Sequence, residues 1–203
     1  MKLAYHYHTL INKKNNQYWI ASYQGVFIDA LASQVDELHL IFHLEKGRSI
    51  SSDYQLKATN IKFHNLGSKT SAWKRFFRGP ENKNIVNELE ECAIDYYIFR
   101  APSPLCVFFG KYFKEDNVLF YVVGDYEEGS KNYTHKGLRQ LIVKHFTSYM
   151  GAKITKTYKN RKLIVNSDDL FDKLCRSTAK KMSEASINYL FVTLIHIECL
   201  FKN

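Results

Sequence analysis

The apolar residues of this chain come in short bursts, separated by longer stretches in which they recur every three or four positions. Short apolar runs suit buried strands, and the helical period suits helices laid over them. Their alternation points to an α/β domain with a mainly parallel sheet, because parallel neighbours need a crossover that a helix supplies. The strand candidates are Lys2–His8, Leu38–Phe42, Ile61–Leu66, Tyr96–Phe99, Val118–Val123 and Lys162–Val165. Val118–Val123 is the clearest of them, uninterrupted until Gly124.

The intervening segments carry apolar faces. Pro80-Glu81 opens a helix on which Ile85, Val86, Leu89, Cys92 and Ala93 recur at helical spacing. Leu138, Leu141, Ile142, His145, Phe146 and Tyr149 form a second stripe, capped by Thr134 and ended by Gly151. His145 falls within that stripe and reads as a core histidine rather than a ligand. Ser167 caps a short helix carrying Leu170, Phe171 and Leu174. Thr178–Ser186 is polar and reads as a linker before a new apolar run, Ile187–Phe201. The expected division is a domain over 1–177 and a separate tail over 178–203.

Composition narrows the partners. The 14 Tyr and 14 Phe rule out intrinsic disorder. A formal net charge of +9 favours an anionic partner: nucleic acid, an acidic membrane surface or a phosphate-bearing substrate. Cys92, Cys106, Cys175 and Cys199 are widely spaced, with no zinc-ligand spacing in the sequence. They read as reduced thiols, no metal site is expected, and a cytoplasmic location follows. The N-terminus lacks a signal-peptide pattern, and no run is long enough for a transmembrane helix.

Ligands of an open parallel sheet bind beyond the carboxyl ends of its strands, which selects four loops. The first spans Thr9 to Gly25 and opens a helix with Val26, Phe27, Ala30 and Leu31 inward. Gly25 there permits close backbone approach, or is plain loop punctuation. The second is Arg100-Ala101-Pro102-Ser103-Pro104, where Arg100 can fork onto a phosphate or carboxylate and Ser103 adds a hydroxyl. A rigid turn with a surface arginine explains the same residues. The third, Gly124–Gly129, clusters Asp125, Glu127 and Glu128, which could orient sugar hydroxyls or make a solvated acidic loop. The fourth, Ser167-Asp168-Asp169, is best explained as a helix cap.

Two basic stretches bear on partners. Around Trp73, Lys74, Arg75, Phe76, Phe77 and Arg78, cations interleave with aromatics, which suits a peripheral contact with acidic lipid. The same mix could stack on single-stranded nucleic acid, the less favoured partner. Lys153–Lys162 adds five cations without comparable aromatics.

Taken together, Gly25-Val26-Phe27-Ile28-Asp29-Ala30-Leu31-Ala32, the Arg100–Pro104 turn, the strand ending in Gly124-Asp125, and Leu163-Ile164-Val165-Asn166-Ser167 resemble the N-terminal domain of GT-B, family 4 glycosyltransferases. The resemblance covers essentially the whole chain. It implies a Rossmann-like half of a GT-B fold, with a mainly parallel sheet and helices on both faces. It also implies a role in cell-envelope polysaccharide synthesis, binding a glycan or lipid-linked acceptor at the cytoplasmic membrane face. On that reading Gly25, Arg100, Ser103, Asp125 and Glu127 line the acceptor side. Relatives with a histidine in the loop after the fourth strand differ here, since Arg100 and Ser103 stand in its place. Ile187–Ile195 looks like the first strand of the family's donor domain, at which the chain stops. The expectation is therefore no cofactor, with a nucleotide-sugar donor held only by a complete second domain or a separate donor-domain polypeptide. Alone, the chain is expected to catalyse no transfer.

Overall fold

A computed structural model of the chain describes residues 1–47, 51–70, 74–75, 79–113, 115–125, 137–158 and 161–179. They belong to a mixed, mostly parallel sheet with helices, divided into two compact units, Met1–Ile98 and Phe99–Asn203.

The first unit contains β1 (Lys2–Lys14), β2 (Gln17–Ile20), α1 (Ser22–Ala32), β3 (Glu37–Lys46), β4 (Tyr54–Gln55), β5 (Ile61–Asn65) and α2 (Gly79–Glu91). It ends within β6 (Tyr96–Ala101). β3 pairs parallel with β1 and with β5, while β2 pairs antiparallel with both β1 and β4. Leu38 through His43 are all buried, as expected of a strand covered on both faces. One face carries Tyr5, Leu40 and Phe42, and Phe27 of α1 packs its ring 5.3 Å from that of Tyr5. Asp29 of α1 accepts from the Tyr54 hydroxyl and from the amides of Lys57 and Ala58, tying the helix to the β4–β5 loop. Asn60 then donates to the Ala32 and Val35 carbonyls at 2.9 Å, satisfying groups left open at the helix end.

The second unit contains the end of β6, α3 (Pro104–Tyr112), a single 3-10 turn (Glu115–Asn117), β7 (Val118–Val122), α4 (Leu138–Tyr158), β8 (Lys162–Val165) and α5 (Asp168–Ala179). Strand order here is β6-β7-β8, with β7 and β8 parallel. Its core is aromatic: Phe99 stacks on Phe109 at 5.3 Å, and Phe120 meets Phe99 at 5.9 Å and Tyr158 at 5.2 Å. Arg161 closes α3 by donating to the Gly110 and Phe113 carbonyls, at 2.6 and 3.2 Å, where a cation also meets the negative end of the helix.

Several elements differ from expectation. β1 runs on to Lys14, and Thr9–Gly25 is a hairpin with the start of a helix instead of an open loop. Val26 and Ala30 of α1 face solvent; Gln24, Gly25, Ile28, Leu31 and Ala32 face inward. α4 passes through Gly151 to Tyr158. Its buried positions are Thr147, Met150, Ile154 and Tyr158, while Leu141, Ile142, His145 and Tyr149 are exposed. The stripe starting at Leu138 thus supplied the right period and the wrong face. Ser167 does cap α5, its Oγ accepting from the Leu170 amide at 3.4 Å. The first residues of the expected linker, Thr178 and Ala179, still belong to α5; Thr134 and residues 180–203 lie outside the described residues. Among the described residues, no helix is long and apolar enough to cross a membrane.

Candidate functional site

The carboxyl ends of β6, β7 and β8 lie side by side in the second unit. The Val123 amide donates to the Ala101 carbonyl at 2.9 Å, and the Asn166 amide donates to the Val122 carbonyl at 3.3 Å. The loops beyond them also meet, since a Cβ placed on Gly124 would stand 3.9 Å from Pro102 Cδ. This edge receives two of the expected acceptor residues. Arg100 is half-buried, with its guanidinium 5.5 Å from the centre of the Tyr121 ring, a distance at which ring and cation attract. Asp125 is half-buried just past β7. Together they put a fixed cation and a carboxylate on one edge, a combination able to hold an anionic group beside hydroxyls.

Ser103 has a different job. It is fully buried, and its Oγ accepts from the Leu105 amide at 3.3 Å, so the hydroxyl starts α3 and is withheld from any ligand. Glu127 lies outside the described residues. Cys106, one turn into α3, is also fully buried, and burial pushes its thiol up to about 12, leaving it inert at neutral pH.

Gly25 belongs to the first unit and is buried in α1. A Cβ there would fall 2.1 Å from Cδ1 of Tyr54, so the missing side chain makes room for that ring. Packing, and not ligand approach, accounts for the glycine. Of the aromatic-basic stretch, Trp73, Phe76, Phe77 and Arg78 lie outside the described residues. Lys74 is exposed, but Arg75 is 8% exposed and donates from Nη1 to the Thr70 carbonyl at 3.1 Å. That burial removes Arg75 from the set of cations facing a lipid surface.

A second concentration of chemistry escaped the sequence reading. Side chains alternate along strands, so the registers put His6, His39, His43 and His64 on one face of β1, β3 and β5, opposite Tyr5 and Leu40. All four are buried. His39 Nδ1 lies 2.8 Å from His64 Nε2. The outer nitrogens meet carboxylates: His39 Nε2 is 2.5 Å from Glu37 Oε1, and His64 Nδ1 is 3.1 Å from Glu88 Oε2 on α2. Lys62 Nζ holds the other Glu37 oxygen at 2.9 Å, and that bond above all draws the Glu37 carboxyl below its ordinary range. Half-buried Cys92, just past α2, brings its Sγ close enough that the ligand atoms of His39, His64 and Cys92 all lie within 4.8 Å of one another.

Burial is the main influence on these rings. It pulls His39 below the ordinary imidazole value despite the Glu37 hydrogen bond that raises it. His6 is pulled much further, by burial first and then by His8, His43 and Arg75. The signal for this face was the i, i+4 recurrence of histidine at His39 and His43, which places both on one face of a strand. Joining them to His64 and Cys92 needs the strand pairing and the path of α2, which residue spacing does not contain.

No protein-family model, curated protein or solved structure matches this chain.

Proposed function

We propose that the chain is the acceptor-side domain of a GT-B glycosyltransferase of cell-envelope polysaccharide synthesis, holding a glycan or lipid-linked acceptor at the carboxyl edge of its second unit. One observation carries the reading: β6 and β7 end together, with Arg100 and Asp125 at that shared edge. Support also comes from the topology. Within the first unit β1, β3 and β5 pair in parallel, and within the second β7 and β8 do, which is compatible with the parallel sheet that such a domain needs.

Arg100 has the geometry to bind a phosphate or carboxylate of the acceptor through its planar fork, steadied by Tyr121. Asp125 has the acceptors that sugar hydroxyls need. On this reading the chain recognises acceptor and transfers nothing by itself; donor chemistry belongs to a second domain or a separate polypeptide.

The test is saturation-transfer NMR of the purified 203-residue chain against a panel of acidic envelope oligosaccharides and their lipid-linked forms. Arg100→Ala and Asp125→Asn should each weaken binding about tenfold, the scale of one lost charge-assisted bond at roughly 1.4 kcal/mol. Failure of every glycan to bind would remove the proposal. So would robust sugar transfer from a nucleotide sugar by the chain alone.

A further inference from the structure

The His39–His64 pair has more hydrogen-bond contacts than protons to fill them. Two neutral imidazoles carry two N–H groups between them. The line Glu37–His39–His64–Glu88 contains three contacts, at 2.5, 2.8 and 3.1 Å. If both outer nitrogens donate to carboxylates, two bare lone pairs face each other at the centre. If a proton sits at the centre, one outer nitrogen presents a lone pair to a carboxylate oxygen. A cation between the inner nitrogens removes the conflict, because each then lends its lone pair to the metal while the outer N–H groups keep their carboxylates. Metal-binding histidines are regularly oriented this way, with a carboxylate on the far nitrogen.

We infer that His39 Nδ1, His64 Nε2 and Cys92 Sγ form a zinc site in the first unit, with Glu37 and Glu88 orienting the two rings. The donor set is one that zinc favours, two imidazoles and a thiolate. Two imidazole nitrogens on a tetrahedral zinc stand about 3.3 Å apart, given Zn–N distances of about 2.0–2.1 Å. The observed 2.8 Å needs the rings to part by about half an ångström, and the sulfur already lies within 4.8 Å of a ring nitrogen of each histidine. Cys92 enters as thiolate, so its proton leaves to solvent when the metal binds. Three protein ligands leave the fourth tetrahedral position to a water molecule. β3, β5 and the end of α2 each contribute one ligand, so the metal would staple three elements distant in sequence.

The experiment uses the purified, metal-stripped full chain. Zinc is titrated in competition with a chromophoric chelator, and cobalt(II) is added separately as a spectroscopic reporter. One equivalent of zinc should bind. Cobalt should give the intense visible bands of a tetrahedral site and a near-ultraviolet thiolate charge-transfer band. Cys92→Ser, at a half-buried position that leaves the core intact, should abolish the charge-transfer band and weaken zinc at least tenfold. Zinc should also slow alkylation of Cys92 in the unaltered chain, read by peptide mass spectrometry, which requires no variant to fold. Absence of stoichiometric zinc binding overturns the inference and leaves a shared proton at the centre of the pair. Zinc binding that Cys92→Ser leaves unchanged, with no protection of the Cys92 thiol, places the metal elsewhere and overturns it equally.

Discussion

At Gly25 a single added carbon would overlap the ring of Tyr54, only 2.1 Å from its Cδ1. The ring cannot swing away freely, because its hydroxyl donates to Asp29 Oδ2 at 2.9 Å. Gly25→Ala should therefore destabilise the chain by about 1–3 kcal/mol, the usual cost of overpacking. Tyr54→Ala in the same molecule should recover most of that loss, since the two positions share one space. Urea midpoints of the single and double variants check this; additive losses would place the strain elsewhere. His6 gives a prediction of a different kind. Its folded-state value is depressed, so above about pH 6.5 both states hold it neutral and nothing is lost. Below that, the unfolded chain takes up a proton that the folded chain refuses, and stability falls as the pH drops. The limiting slope is about 1.4 kcal/mol per pH unit for one such group. His6→Gln should flatten the decline between pH 7.5 and 5.5, measured as urea midpoints, a window above the range in which Glu37 titrates. The residue scale was also where residue type disclosed least. Gly25, Ser103 and Arg75 each looked like a ligand contact by type, yet packing, capping and burial claim them.

Elements were legible where the hydrophobic pattern was continuous. Lys162–Val165 is the strand expected, and Val118–Val122 differs by one residue. β2 and β4 were missed because a four-residue and a two-residue strand are too short to show a period. The signal present was Asn15-Asn16 between Leu10-Ile11 and Tyr18-Trp19-Ile20, a turn pair between apolar runs. Both asparagines take left-handed backbone, with φ of 50° and 57°, which is what a tight hairpin turn of that hand requires. Asn tolerates that region better than most residues, and Gly tolerates it best. Asn16→Gly should then be neutral or stabilising by up to about 1 kcal/mol, while Asn15→Val should cost about 1–2 kcal/mol. Thermal or urea unfolding distinguishes them, and equal effects would argue against the turn. α4 shows the opposite failure: two apolar stripes of helical period share one helix, and periodicity cannot say which of them the sheet covers.

For the molecule as a whole, the α/β class was readable because short apolar-rich runs, as in β3 and β7, alternate with segments of helical period. The histidine face was not readable, because it exists only once β1, β3 and β5 are in register. The net charge of +9 was plain from the start, and it supports a prediction about surfaces. Lys74, Lys153, Lys156 and Lys162 are exposed, whereas Arg75 and Arg161 donate to backbone carbonyls, so among the described residues of these stretches lysines carry the outward charge. Attraction by exposed charge should place the chain on vesicles rich in anionic lipid and leave zwitterionic vesicles bare at low salt. Raising ionic strength from about 0.05 to about 0.5 M shortens the screening length from roughly 14 to roughly 4 Å, so purely electrostatic binding should nearly vanish. Aromatic insertion behaves differently, because apolar burial does not weaken with salt. If the stretch carrying Trp73 and Phe76 meets lipid, a residual fraction should persist at high salt, and Trp73→Ala should remove it while Lys74→Glu lowers only the salt-sensitive part. Cosedimentation across that range separates the two contributions. Equal binding to single-stranded oligonucleotide, with no fraction surviving on vesicles at high salt, would mean that the charge serves no particular lipid surface.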